Sequence, residues 1–121
     1  METLVMIKPD GIEMKCTGPI IGLIEDKDLK ITQMIMKTLG LTEAELIYAE
    51  HKGQWYFERN INHVTSDPVV LMQVEGDDVI EKTRKIVDDV RKNFNIELPK
   101  NIIHASSNAD KAIEELQAAG F

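Results

Sequence analysis

Histidine occurs at three positions, 51, 63 and 104, and their settings differ. His104 follows Asn101-Ile102-Ile103, which reads as a strand end, and precedes Ala105-Ser106, at the approach to a helix. A strand end beside a helix N-terminus is a common anion site, because unpaired backbone N–H groups point outward there. Alternation along the strand puts Ile103 and His104 on opposite faces, so a core Ile103 turns His104 the other way. A surface histidine at a strand end is the competing reading. His51 and His63 fall on polar helix surfaces and read as solvated or capping residues.

Candidate partners lie at the ends of other segments. Lys8 closes the first apolar run, while Tyr48 and Tyr56 sit in a helical stretch. Arg84 and Arg91 are spaced to share one helical face two turns apart if the helix continues that far. A lysine and two arginines converging on one point would suit a polyphosphate. Taken singly, Arg84 could instead form an i,i+4 pair with Asp88, worth only tenths of a kcal/mol. Tyr48 could be a core-rim aromatic with a wet hydroxyl.

Positioning these groups requires a sequence of alternating elements. Residues 3–8 form an apolar run read as a buried strand, closed by the turn chemistry of Pro9-Asp10-Gly11. Thr17, with Pro19 behind it, reads as a helix start, and Ile20, Ile21, Leu23 and Ile24 supply the apolar stripe. Residues 29–38 read as a second strand. Thr42 and Glu45 form a capping-box pattern for a helix through about residue 52, and residues 55–64 read as another helix. Asp67-Pro68 marks a turn before a strand over 69–74. Val79, Thr83, Ile86, Val87 and Val90 share one face of a helix opened by Asp78 and Glu81. Residues 101–106 make a short strand. Residues 109–119 make a closing helix, with Ala112, Ile113 and Leu116 inward and Gly120 past its end. This order fits an α+β fold of ferredoxin-like βαββαβ type: a four-stranded, mainly antiparallel sheet with helices packed on it. No Gly-rich phosphate loop follows the first strand, which counts against P-loop and dinucleotide-binding folds.

The length of 121 residues fits one domain over 1–121 with its own core. One cysteine, Cys16, excludes an internal disulfide framework and suits a reducing compartment. No run is long and apolar enough for a membrane span and no signal peptide is read, so a cytoplasmic address is expected. The net charge of −7 argues against nucleic-acid binding, while leaving room for a local cationic cleft that holds a phosphorylated small molecule.

Taken together, the motifs resemble the nucleoside diphosphate kinase family nearly end to end. Thr3-Leu4-Val5-Met6-Ile7-Lys8-Pro9-Asp10-Gly11 is similar to its opening strand and turn, and Tyr48-Ala49-Glu50-His51-Lys52 to its Tyr-x-Glu-His-Lys segment. Thr65-Ser66-Asp67-Pro68-Val69-Val70 resembles its Thr-Ser-Gly-Pro-Val-Val, and Asn101-Ile102-Ile103-His104-Ala105-Ser106 its Asn-Ile-Ile-His-Gly-Ser signature. The resemblance implies that His104 accepts the phosphate, that Glu115 orients it and that Ser106 supports it. It implies that Lys8, Tyr48, Arg84, Arg91 and Asn101 hold phosphates and sugar, and that Tyr56 replaces a Phe that stacks on the base. It implies ping-pong transfer between nucleoside tri- and diphosphates (ATP, ADP, GTP and deoxy forms). Mg2+ would be held mainly by the nucleotide phosphates, and the chain would form a homo-oligomer. A histidine must be unprotonated to attack, so activity should fall in acid. Recognition of the base by stacking predicts weak discrimination among bases.

Several positions depart from the family pattern. Only residues 85–90 separate Arg84 from Arg91, where the family carries a long loop with a phosphate-contacting Thr. A more open nucleotide mouth and altered subunit packing are the expectations. Ala105 stands for Gly, Ser107 for Asp, Asp67 for Gly, and Asn60 for an apolar residue near the base, where it could shift base preference. Met14-Lys15-Cys16 also replaces a Gln-Arg-Gly-like stretch. A non-catalytic homologue that senses nucleotides or binds protein is one alternative, and an unrelated ferredoxin-like interaction domain is another; retention of Lys8, Arg84, Arg91, Asn101, His104 and Glu115 favours catalysis.

Overall fold

The computed structural model describes residues 1–94 and 101–121. Elements run in the order β1 (Glu2–Ile7), α1 (Pro9–Glu13), α2 (Thr17–Asp26), β2 (Lys30–Lys37), α3 (Leu41–Ile47) and a 3₁₀ turn (Ala49–His51). They continue with α4 (Phe57–Ser66), β3 (Val69–Glu75), α5 (Val79–Phe94), β4 (Ile103–Ala105) and α6 (Ala109–Ala118). The strands form one sheet in the order β2-β3-β1-β4, each pair antiparallel. This is the expected ferredoxin-like α+β arrangement.

Strand alternation divides the core in two. Val5 and Ile7 of β1 point to one face with Val70, Met72 and Val74 of β3, where α2 and α5 cover them through Ile20, Ile24, Ile86 and Val87. Leu4 and Met6 point to the other face with Val69 and Leu71, under α3, α4 and α6. In β4, Ile103 joins the first face, and His104, opposite Met6, turns to the second. Lys8 continues the even-numbered series of β1, so the chain directs Lys8 and His104 to the same side.

The structure moves several expected boundaries. Pro9-Asp10-Gly11 starts helix α1 rather than a turn: Pro9 occupies a first-turn position, where a missing N–H costs nothing. Gly11 is required there, because a Cβ would stand 2.8 Å from the Ile102 carbonyl oxygen and from Ile7 Cγ2. Thr17 is the first residue of α2, and Cys16 holds the N-cap position without a side-chain capping bond. Helix α3 starts after Gly40, because Glu43, and not Glu45, reaches back to the Gly40 N–H at 3.0 Å. It ends at Ile47, and the chain to His51 tightens into the 3₁₀ turn. Trp55 lies outside α4 and is 73% exposed. Strand β4 is shorter than expected, because Ile102 adopts φ +67° and breaks the extended run. In α6 the buried face is Ala112, Glu115, Leu116 and Ala119, and Ile113 is exposed. A carboxylate holds the inward position that hydrophobicity alone assigned to Ile113. The Arg84–Arg91 helix does run through both positions, ending at Phe94.

Candidate active site

One cavity of about 390 Å³ is lined by Lys8, Tyr48, Tyr56, Asn60, Arg84, Arg91, Asn101 and His104, together with Glu50, His51, Ala105 and Ser107. Seven of the nine side chains singled out in the sequence therefore meet in one place. The other two, Ser106 and Glu115, stand behind His104: Glu115 Oε1 lies 2.6 Å from His104 Nε2 and accepts from Ser106 Oγ at 3.0 Å. Alternation on β4 and the inward face of α6 bring these groups together.

The geometry fixes the character of the imidazole. An ionised carboxylate only accepts, so Nε2 carries the hydrogen toward Glu115. In the neutral ring Nδ1 is then left with the lone pair. Rotation of the ring is limited by the Tyr48 ring, whose centroid lies 4.8 Å away, and by burial.

The arginines arrive differently. Strand β4 is an edge, and the carbonyls of residues 101, 103 and 105 point away from β1. Arg84 Nη1 donates to the Ala105 carbonyl at 3.1 Å, and Arg91 Nη2 to the Ile103 carbonyl at 2.9 Å. Spacing of two helical turns puts both arginines on the face toward this edge, and their long side chains close on carbonyls two strand residues apart. Arg84 thus makes a backbone bond rather than depending on the i,i+4 pairing with Asp88 that sequence spacing allowed. A guanidinium has five N–H donors, so donors remain for an anion in the cavity.

Lys8 is buried, and its Nζ donates to Asn60 Oδ1 at 3.0 Å and lies 5.4 Å from the centre of the Tyr48 ring. Burial and the nearby Arg91 charge, partly offset by Asp10, lower its pKa to about 7. Burial, reinforced by Glu115, holds the Tyr48 hydroxyl far above its ordinary pKa. Tyr48 Oη and Asn101 Oδ1 are buried with no hydrogen-bond partner among the described residues. Such groups are nearly always paired, and both residues line the cavity, so these oxygens are suited to a polar ligand.

Three residues did more than the sequence suggested. His51 is not a solvated surface residue: its Nδ1 lies 2.6 Å from the Tyr56 hydroxyl on the cavity wall. Asp10 Oδ2 accepts the Ile102 N–H at 2.9 Å and Oδ1 meets His63 Nε2 at 2.8 Å, so His63 is paired rather than solvated. Asn60, expected near the base, is buried against Lys8. The polar residue amid Ile61 and Val64 on the inner side of α4 was the available signal for Asn60; nothing local marked Asp10.

A ferredoxin-like sheet that presents an imidazole with a carboxylate behind it and three cationic side chains in front belongs among the phosphate-transferring enzymes. The family model described as nucleoside diphosphate kinase matches residues 1–119, and the chain belongs to that family. It is 39% identical over 124 residues to a nucleoside diphosphate kinase of Saccharolobus solfataricus, covering 94% of this chain and 90% of that one. A nucleoside diphosphate kinase of Ignicoccus hospitalis is 39% identical over 122 residues, covering 93% and 83%. Among solved structures, an Aquifex aeolicus nucleoside diphosphate kinase superposes with a TM-score of 0.89 at 26% identity, over 98% of this chain and 93% of that one. A halophilic nucleoside diphosphate kinase of Halobacterium salinarum, in complex with CDP, gives 0.88 at 28% identity, over 98% and 86%. The chain is thus a nucleotide-binding phosphotransferase that moves a terminal phosphate from a nucleoside triphosphate to a diphosphate. The family works in two half-reactions through a phosphohistidine and with a divalent metal. No described helix is long and apolar enough to cross a membrane.

Proposed function

We propose that His104 Nδ1 is the atom that carries the phosphate, and that residues 1–121 act as one catalytic domain. The supporting observation is the 2.6 Å contact between His104 Nε2 and Glu115, which leaves the other ring nitrogen for the cavity. In the first half-reaction the Nδ1 lone pair forms a bond to the γ-phosphorus. The bond from that phosphorus to the β–γ bridging oxygen breaks, and the diphosphate leaves with the electron pair. Glu115, supported by Ser106, holds the ring and offsets the positive charge that develops on it. Lys8, Arg84 and Arg91 offset charge on the phosphoryl oxygens, and Tyr48 and Asn101 orient phosphate and sugar. In the second half-reaction an acceptor diphosphate oxygen attacks the phosphohistidine and His104 is regenerated.

Tyr56 is the surface for the base, so ATP, GTP and their deoxy forms are all expected donors. The divalent ion is Mg2+, brought by the nucleotide as part of the substrate. Among the described residues no cluster of three His, Cys, Asp or Glu side chains could hold a metal ion, and the phosphate-facing side chains are cationic. Edge strand β2 exposes Met34, Ile35 and Met36, and an uncovered apolar edge favours a homo-oligomer. The net charge of −7 favours small phosphorylated partners over nucleic acid, and the single buried Cys16 suits the cytoplasm.

Incubation with Mg2+ and ATP labelled on the γ-phosphate tests the assignment. Acid-labile label should appear on the unaltered protein and be absent from His104→Ala. Label retained by His104→Ala would transfer the role to another residue.

A further inference from the structure

We infer that His51 is a positioning residue for the base: its Nδ1 accepts the Tyr56 hydroxyl and so fixes the plane on which the base stacks. The inference rests on Tyr56 being the base surface, as proposed above.

Stacking on an aromatic face uses the π surface and needs no hydroxyl. Residue 56 nevertheless carries one, and Tyr56 Oη lies 2.6 Å from His51 Nδ1, with both side chains on the cavity wall. The two ring centroids are 5.6 Å apart with planes tilted by 58°. The imidazole thus meets Tyr56 at its hydroxyl end rather than lying over its face.

Electrostatics place the proton. Nε2 of the same imidazole lies 3.7 Å from Glu50 Oε1, and an ionised carboxylate favours an N–H turned toward it. Burial holds the His51 pKa below its ordinary value, so the ring is neutral at neutral pH. With its hydrogen on Nε2, the neutral ring has its lone pair on Nδ1, and the Tyr56 O–H donates to it. Glu50 is held in turn, accepting from Ser107 Oγ at 3.1 Å and 3.0 Å. The line Ser107–Glu50–His51–Tyr56 joins the loop after β4, the 3₁₀ turn and the N-cap of α4.

This bond matters because the segment carrying the ring has little packing of its own. Residues 52–55 are all exposed, and Tyr56 is half-buried. Backbone bonds close the turn, from the Gln54 N–H to the His51 carbonyl at 3.0 Å and from the Phe57 N–H to the Gln54 carbonyl at 3.1 Å. Those bonds hold the chain and leave the Tyr56 side chain its own rotations. A hydrogen bond at the far end of the side chain removes much of that freedom before a nucleotide arrives, which lowers the cost of binding.

A platform touches the base equally in the ground and transition states, so its loss falls on KM more than on kcat. Tyr56→Phe keeps the ring and loses the bond, while His51→Leu keeps the hydroxyl and loses its acceptor. Each should raise KM for ATP about fivefold, the worth of one net hydrogen bond. The double variant should do no more than either alone, because both remove the same bond. His51→Asn, whose amide oxygen stands near the place of Nδ1, should return KM to within about twofold of the unaltered value. Penalties should be equal for ATP and GTP, since the π face of either base stacks. Unmoved KM in both single variants, additive penalties, no recovery in His51→Asn, or a penalty confined to one base would overturn the inference. If His51→Leu does not fold, Tyr56→Phe with the two nucleotides carries the test alone. Tyr56→Ala separates the two readings. A raised KM there, with KM unmoved in Tyr56→Phe and His51→Leu, removes only the role of His51. An unmoved KM in Tyr56→Ala removes Tyr56 as the base surface.

Discussion

Among the described residues two histidine–carboxylate pairs make close contact, the buried His104–Glu115 at 2.6 Å and the part-buried His63–Asp10 at 2.8 Å. Seen as pairs they are nearly equivalent, since the side chains are 8% and 2% exposed in one and 12% and 10% in the other. Their surroundings separate them. His104 shares a cavity with Lys8, Arg84 and Arg91. His63 borders a separate cavity with Glu13, Asp67, Ser66 and Asp10 itself, where a phosphate would meet like charge. The carboxylates differ as well. Glu115 Oε1 serves the ring and Ser106, whereas Asp10 gives its second oxygen to the backbone N–H of Ile102. If His104 accepts the phosphate as proposed, a carboxylate behind an imidazole is not sufficient for that role, and cations lining the same cavity make the difference. The second pair instead holds a β-branched residue at φ +67°, a conformation that costs on the order of 1–3 kcal/mol, just ahead of the strand that carries His104.

The largest expected contrast is in turnover. His104→Ala should lower phosphate transfer by several orders of magnitude, as loss of a covalent nucleophile does. His63→Ala should stay within about tenfold of the unaltered protein, because the side chain lies outside the cavity. Steady-state rates with saturating ATP and a second nucleoside diphosphate would measure both. Equal losses in the two variants would abolish the distinction between the pairs.

Much of this arrangement could be read in the sequence, and what could not has a physical cause. A continuous apolar run marks β1, which is buried on both faces of the sheet as β3 is, and a period-3.6 pattern marks α5, which buries one face. His104 and Lys8 stand at recognisable segment ends, and the two arginines share one helical face two turns apart. Asp10 reads as turn chemistry in the sequence because its partners, Ile102 and His63, are distant in the chain, and such contacts leave no local pattern. Hydrophobicity alone points Ile113 inward, whereas the inward position belongs to Glu115, the carboxylate beside His104. His51 and His63 read as solvated or capping residues because a polar helix position does not reveal a partner on another element.

Asp10→Ala should give an intermediate effect, on stability more than on chemistry. It leaves the Ile102 N–H and the His63 ring without their acceptor, at a cost of about 1–3 kcal/mol. A lower urea midpoint at neutral pH would measure it. Burial pushes the Asp10 carboxyl up, but the hydrogen bonds from His63 and from the Ile102 N–H, together with the His63 charge, outweigh burial and hold its pKa below the ordinary value. The contribution is therefore present above the unfolded carboxylate pKa and lost as pH falls through the lower folded one. The unaltered protein should lose stability more steeply in that acid window than Asp10→Ala. Identical acid limbs would mean that Asp10 does not hold the strand.

The smallest effect expected is a proton. In the nucleotide-free protein Lys8 has a pKa of about 7, well below its ordinary 10.5. The unfolded chain therefore holds a proton that the folded chain has released between those two values, and stability contributed by this group rises with pH across that window. At pH 8 roughly a tenth of the folded molecules carry the Lys8 charge. Phosphates brought beside the amine favour its ammonium form, so nucleotide binding at pH 8 should take up most of one proton. Binding heats measured in two buffers of different ionisation enthalpy would detect that uptake. Lys8→Met should abolish it, while His63→Ala should leave it intact. Uptake that vanished in His63→Ala instead would place the responding group in the second pair.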